Sequence, residues 1–539
     1  MVEHLLAKED VASSSLVTRS SFSLDLEGAF ANGTFVTMTI TPSRDEFRHL
    51  AKQGNLIPLI VDLVADVETP VSAFAKIDKG SPCFLFESAE RNEESGRFSF
   101  IGFDPLASFK SVGSTISISA NGKSESYETQ STPLDELQKL MRRFRFATST
   151  DIPHFVGGAV GYISYDLVPF FEPTVPIHSR DDLHMPEMTF MIAGTLLVFD
   201  HRFRKLRLVV NVYIDSRDKI DTVYDRSQLD LNRAIENLSC KKVLRPLSAE
   251  PPAPVPLGSS NTTRVEFEGM VARAKALIAA GDVFQVVLSQ RFEAEFSGDP
   301  LDLYRALRFG NPSPYMFCLK FDENFTAMGS SPEVHLRVRN GIAEIRPIAG
   351  TRPRGESLLE DQRLAHELIV DPKERAEHVM LIDLGRNDLG RVAEFGSVKV
   401  TEQMVIERYS HVMHIVSHVI ARLGKDKNAF DAIRATFPAG TVSGAPKIRA
   451  LQIIADLEKS RRGFYAGIVG YFGFDGSHDS CIAIRSMILK NGKVFLQAGA
   501  GIVADSDPAR EFDETVNKAK AMLAAIARAK GSASVPLAS

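Results

Sequence analysis

The chain has 539 residues, of which 44% are hydrophobic and 24% charged, with a formal net charge of −5. That length can bury a sizeable core and form more than one compact region. The small charge and the lack of any basic run speak against a nucleic-acid or membrane surface. Cys83, Cys240, Cys318 and Cys481 are scattered and form no CxxC pair, which argues against a zinc site or a disulfide framework and fits the reducing cytoplasm.

Residues 1–37 hold a Ser-rich stretch but also Glu3, Glu9, Asp10, Asp25 and Glu27, without the apolar core of a secretory signal. They read as a poorly ordered extension. Near Pro42, Thr41 or Ser43 caps a helix through Phe47, Leu50 and Ala51. Short β-rich runs then alternate with helical segments up to about residue 245: Cys83–Glu87, Thr115–Ala120, Thr195–Asp200 and Leu206–Ile214. Residues 246–263 carry five prolines with Ser and Gly and no periodicity, so they read as a linker. The pattern predicts an N-terminal region at 38–245, a second region at 264–530 and a tail at 531–539.

In the second region a helix is predicted over Arg264–Ala280, with strands at Val283–Phe292, Met316–Phe321, Glu333–Val338 and Gly341–Ile345. Helices follow at Leu358–Val370, from Pro372 to Leu384, over Ala429–Thr436 and from Pro446. Strands at Phe464–Phe472, Asp479–Leu489 and Lys493–Ala498 lead into a last helix at Pro508–Lys530. The Asn340-Gly341 and Asn491-Gly492 turns mark hairpins, so the sheets are largely antiparallel and the class is α+β.

Two segments repeat one device. Asp371-Pro372 and Asp507-Pro508 each start a helix, with Asp as N-cap and Pro at the first helical position. Each is followed by glutamates three apart, Glu374/Glu377 and Glu511/Glu514, which project from one helix face. If the two helices face each other, four carboxylates converge, and such a cluster calls for a cation; oxygen-only ligands suit Mg2+. A single such helix start could equally serve only the helix dipole. Just before the second helix, Gly499 and Gly501 end a strand and let the backbone approach an anion. Arg485 sits in an apolar stretch where it needs either a structural ion pair or an anionic ligand. Lys518 could bind a carboxylate or simply pair with Glu514. His414, in an apolar run, could be a satisfied core residue.

Residues 374–392 (ERAEHVMLIDLGRNDLGRV), 441–447 (TVSGAPK), 347–355 (PIAGTRPRG) and 497–517 together resemble the chorismate-utilising enzyme family, most closely its anthranilate synthase component I branch, over about residues 45–525. The resemblance implies two packed, largely antiparallel sheets flanked by helices in four layers, chorismate as substrate and Mg2+ as cofactor. Carried over, Glu377 and Glu514 bind the ion, with Glu374 and Glu511 acting through its waters. Gly499, Gly501 and Lys518 face the ring carboxylate, and Tyr465 and Arg485 face the enolpyruvyl carboxylate. Gly350 and Thr351 belong to the same substrate site. Glu333 is the acid for the departing hydroxyl, Thr441 orients that hydroxyl, and His414 assists the final elimination.

Two positions bear on the reaction. Water-adding members resemble the stretch around Gln285 but carry a lysine base there, and aminodeoxychorismate synthases carry a nucleophilic lysine where Ala349 stands. Both therefore point to ammonia attack at C2 and to anthranilate. Glu87, Ser88, Arg97, Pro314, Tyr315 and Met316 resemble the family's tryptophan feedback site. No cysteine sits in a Gly-x-Cys-x-Gly nucleophile turn, so a separate glutamine amidotransferase subunit is implied, in a heterotetramer of two large and two small chains. The rival expectations are an aminodeoxychorismate synthase component I and a catalytically silent tryptophan-sensing subunit.

Overall fold

The computed structural model describes residues 38–532 except 81, 90–95, 150–154, 179, 253–257 and 410–411. The chain divides into two units, Met1–Thr39 and Ile40–Ser539, and the described helices and strands lie in the second. The expected extension at 1–37 and most of the tail lie outside the described residues.

Two 12-stranded sheets form the centre of the second unit. In the first, strands Leu56–Val64, Lys205–Tyr213, Thr195–Asp200, Phe98–Phe103 and Cys83–Glu87 lie side by side. They continue through Tyr315–Asp322, Phe325–Ser331, Ser486–Lys490, Lys493–Ile502 and Gln285–Glu295. The second runs from Ile348–Pro353 through Val412–Arg422, Ile342–Ile345, Val334–Arg339, His478–Ile482 and Ile468–Gly473. It ends in Gly158–Ile163, Met188–Ile192, Ala107–Val112, Thr115–Ala120 and Lys123–Glu128. Neighbours in both pair antiparallel, as the hairpin turns predict. Each sheet takes strands from both sides of the proline-rich segment at 246–263.

Strand alternation explains the layering. Phe84, Val209, Phe317 and Leu319 of the first sheet pack with Val160, Tyr162, Val469 and Tyr471 of the second in one buried cluster. Their sequence neighbours Cys83, Leu85, Leu208, Val210, Met316 and Cys318 point the other way, into a cluster shared with helices Pro300–Gly310 and Pro508–Ser532. Ala159 and Ile163 likewise face the helices Ala429–Thr436 and Lys447–Leu457. The period of two thus sorts each strand's apolar residues between the sheet–sheet and sheet–helix layers. The result is helix, sheet, sheet, helix.

One predicted strand is corrected. Asp479–Leu489 is two strands, His478–Ile482 in the second sheet and Ser486–Lys490 in the first. The chain crosses between sheets at Ala483–Arg485, where Arg485 adopts φ +51°. A non-glycine residue held in the left-handed region costs on the order of 1–3 kcal/mol and marks a place where geometry is imposed. Strands Phe325–Ser331, Ile348–Pro353, Lys399–Arg408 and Val412–Arg422 are among the additions to the predicted set.

Candidate active site

Both Asp-Pro helix starts form as read. Asp371 Oδ1 accepts from the N–H groups of Lys373 (2.9 Å) and Glu374 (3.2 Å), opening helix Pro372–Gly390. Asp507 Oδ1 accepts from Arg510 N at 3.0 Å, opening helix Pro508–Ser532. The two starts sense each other. Burial pushes the Glu377 carboxyl up from its ordinary value, and the charges of Glu374 and Glu514 add to that, against the pull of the Gln285 amide and Lys373. Glu511 is likewise raised, by burial first and then by Glu514, while Ser506, Lys518 and Lys373 pull it down. Like charges that raise one another's pKa favour a cation between them.

The donor set fits a hard divalent ion, since it is oxygen only. Among the described residues no group of three or more acidic, histidine or cysteine side chains stands close enough to hold a metal alone. Two direct protein oxygens completed by water and an anionic substrate match that arrangement.

Around this pair lie two cationic side chains. Lys518 Nζ is 2.7 Å from Glu514 Oε1 and donates to Gly499 O at 2.9 Å. Arg485 Nη1 donates to Lys518 O at 3.3 Å, and among the described residues the guanidinium forms no ion pair with a carboxylate. Burial lowers it from the ordinary arginine value, partly offset by Tyr465 and Glu514. Of the two readings of Arg485, the structural ion pair is therefore absent. Arg485, Arg510, Asp513, Glu514, Asn517 and Lys518 line an open cavity of about 540 Å³.

The wall behind is tightly built. A Cβ on Gly499 would stand 2.5 Å from Tyr465 Oη and 3.0 Å from Leu288 O, so only glycine lets that strand and that hydroxyl approach. Gln285, the register partner of Ala445, donates its amide to Glu377 Oε1 at 3.4 Å and also covers Gly501.

Glu333 immediately precedes strand Val334–Arg339 and is buried. Burial raises its carboxyl to about 8, with the Thr441 hydroxyl pulling weakly the other way. Thr441 Oγ1 is itself buried without a well-formed hydrogen bond. Both line a cavity of about 30 Å³ with His335 and Asp388. The Thr441 hydroxyl and the Glu333 carboxyl thus face one small polar cavity.

His414 lies across the site on strand Val412–Arg422. Its Nδ1 is 2.9 Å from Gly350 O and 3.1 Å from Thr351 Oγ1. A carbonyl only accepts, so Nδ1 carries the proton. Burial lowers the ring's pKa, which leaves it neutral with its lone pair on Nε2. Gly350 has φ +63° at an irregularity in the strand register, and a Cβ there would stand 3.0 Å from Glu374 Oε2.

A sequence profile of the chorismate binding enzyme family matches residues 81–524. The chain belongs to this family. Anthranilate synthase component 1 of Acetivibrio thermocellus is 46% identical to it over 503 residues, covering 90% of this chain and 99% of that protein. The component 1 protein of Aquifex aeolicus is 46% identical over 493 residues, covering 91% and 98%. The crystal structure of anthranilate synthase component I from Streptococcus pneumoniae shares 37% identity and a TM-score of 0.71, covering 86% of this chain and 99% of that one. The chain is thus a chorismate-utilising enzyme of the anthranilate synthase component 1 branch. No helix among the described residues is long and apolar enough to cross a membrane.

In this family member a second pocket, of about 160 Å³, gathers Glu87, Ser88, Pro314, Tyr315 and Met316. Met316 is the register partner of Glu87 across two adjacent strands, which is why segments so far apart in sequence meet. Glu87 is held by Tyr304 Oη (2.7 Å) and Arg308 Nε (2.9 Å). Tyr315 Oη donates to Asp479 Oδ1 at 2.7 Å, and Arg337 Nη2 donates to Tyr315 Oη at 2.8 Å. Arg97, between the lining residues Gly96 and Phe98, pairs with Asp200 at 2.7 Å and lies over the Phe98 and Phe203 rings.

Two further arginines shape the site: Arg352, from the 347–355 segment, and Arg462, which sequence reasoning missed. Arg352 donates to Glu374 (3.2 Å), Asp371 (3.3 Å) and Glu367 (3.4 Å), so it clamps the first helix start. Fully buried Arg462 pairs with Glu458 at 2.6 Å, donates to Val287 O (2.7 Å) and Val442 O (2.8 Å), and lies 5.6 Å from the Tyr465 ring centroid. It ties the wall strand, the Thr441 loop and Tyr465 together. Its only sequence signal is the i,i+4 spacing to Glu458, which is commonest on exposed helix faces.

Proposed function

We propose that this chain converts chorismate and ammonia to anthranilate and pyruvate, as the lyase subunit of an anthranilate synthase. The observation that carries the reading is Gln285, an amide rather than a lysine base, hydrogen-bonded to Glu377 at the heart of the site. A glutamine cannot deprotonate water, and ammonia needs no such help.

Glu377 and Glu514 would hold a Mg2+ ion, with Glu374 and Glu511 acting through its waters, and the ion would supply positive charge for the ring carboxylate. Lys518 and the backbone at Gly499 and Gly501 receive that carboxylate, and Arg485 with Tyr465 Oη receives the enolpyruvyl carboxylate. Gly350 and Thr351 close the opposite side. Glu333, protonated at neutral pH, gives its proton to the C4 hydroxyl, which leaves as water while Thr441 Oγ1 orients it. Ammonia adds at C2 in the same displacement. His414 Nε2 then takes the C2 proton as the C3–O bond breaks; the ring becomes aromatic and the departing enolpyruvate takes up a proton to become pyruvate. Such a positioned acid or base is typically worth ~10²–10⁴ in rate.

The ammonia comes from glutamine through a separate amidotransferase subunit in the cytoplasm, in a heterotetramer of two chains of each kind, since none of the four cysteines here lies in a nucleophile turn. The second pocket binds L-tryptophan as feedback inhibitor, with the amino-acid head near Glu87 and Ser88 and the indole along Pro314, Tyr315 and Met316. The test is direct. Purified chain with chorismate, Mg2+ and ammonia should produce fluorescent anthranilate without any added lyase, and glutamine should not replace ammonia until the partner is added. Accumulation of aminodeoxychorismate, or no turnover, would defeat the reading.

A further inference from the structure

Tyr409 belongs to two sites at once. Its side chain lines the 160 Å³ pocket together with Arg346, Ile348 and Tyr315. Its ring centroid also lies 5.5 Å from that of His414, edge-on at 62°. Its hydroxyl donates to Glu407 Oε2 at 2.8 Å, and Glu407 is ion-paired with Arg346 of the pocket wall. Glu407 is in turn the cross-strand register partner of His414.

A second connection arrives from the other side. Strand Ile348–Pro353 starts at the pocket residue Ile348 and, two residues on, presents the Gly350 carbonyl and the Thr351 hydroxyl that hold His414 Nδ1. The imidazole is therefore clamped between a ring and a strand, both of which also form the pocket wall.

We propose that Tyr409 is the positioning residue through which occupancy of the pocket sets the His414 ring. This rests on the reading of the pocket as the tryptophan site and of His414 as the base of the elimination. A flat apolar side chain entering the pocket packs against the Tyr409 ring, and close-packed rings move between discrete arrangements rather than yielding continuously. A shifted Tyr409 removes the edge contact that aims Nε2 at the substrate. The ligand inhibits because it binds better to the arrangement in which His414 is turned away.

The experiment uses the full chain with ammonia as nitrogen source. The protein contains no tryptophan, so the fluorescence anisotropy of added L-tryptophan reports binding directly, while anthranilate formation reports activity. Each variant is compared with its own uninhibited rate. The native chain should bind tryptophan and lose about 5–150-fold in rate, the usual span of allosteric coupling. Tyr409→Leu should still bind within about threefold but lose most of that inhibition, because the linkage between the sites is cut while the head-group contacts remain. Tyr409→Phe keeps the ring and should stay inhibited. Full inhibition of Tyr409→Leu overturns the proposal, and so does loss of its binding, which would make Tyr409 only a wall. Should Tyr409→Leu not fold, Tyr409→Phe decides, because loss of inhibition there with binding intact would move the coupling to the hydroxyl and away from the ring. A native chain that binds no tryptophan defeats the pocket reading itself, a distinct result.

Discussion

The Gln285 amide donates to Glu377 Oε1 at 3.4 Å across 92 residues of chain. A neutral donor therefore stands beside this carboxylate, where a charged side chain would compete with a metal ion. Replacing it tests that directly. Gln285→Lys should raise the Mg2+ concentration for half-maximal rate by ~10–100-fold, as changes to groups that orient metal ligands do. Titrating activity with Mg2+ gives the answer, and an unchanged midpoint would separate Gln285 from the cation site.

The raised carboxyl of Glu333 gives a pH prediction. Below about 8 the group is protonated and able to donate, and above it the proton is gone. Anthranilate formation from free enzyme and substrate, read as kcat/KM, should therefore fall as pH rises through about 8. Glu333→Gln should lose ~10²–10⁴ in rate and lose that falling limb. A variant that keeps the limb would assign it to another group.

Gly499 separates packing from chemistry. Gly499→Ala places a methyl 2.5 Å from Tyr465 Oη, so the tyrosine must move away from the substrate. The fold should lose ~1–3 kcal/mol by overpacking, and KM for chorismate should rise about tenfold, the equivalent of one weakened hydrogen bond to a charged group. Thermal unfolding and steady-state kinetics on the same sample measure both.

Arg462 predicts a stability loss. Arg462→Met leaves Glu458 buried without its partner, which should cost ~3–5 kcal/mol. The double variant Arg462→Met/Glu458→Leu should recover part of that loss, because no charge remains unpaired. Urea unfolding of the native chain and both variants checks the order.

Much of the local structure was readable because it depends on neighbours in sequence. Helices Leu358–Val370 and Ala429–Thr436 have the predicted bounds, as do strands Cys83–Glu87, Thr115–Ala120 and Thr195–Asp200. Lys399–Arg408 was not recognised because exposed and half-buried charges interrupt its alternation. The run from Asp479 to Leu489 reads as one strand because its apolar pattern continues through the crossing. Only the φ of +51° at Arg485 reveals that the chain changes sheets there.

The sequence by itself determined the chemistry available and its family: two Asp-Pro helix starts with paired glutamates, a glycine-lined strand end, and the amide at Gln285. These are matters of residue type and short spacing, and they survive in any arrangement of the chain. The tertiary structure alone decided what those groups meet. It leaves Arg485 without an acidic partner among the described residues and buries Arg462. It turns Arg97 toward Asp200 and stands Tyr409 between a pocket and His414. Burial and long-range pairing are properties of the packed sheets, and no local pattern in the chain encodes them.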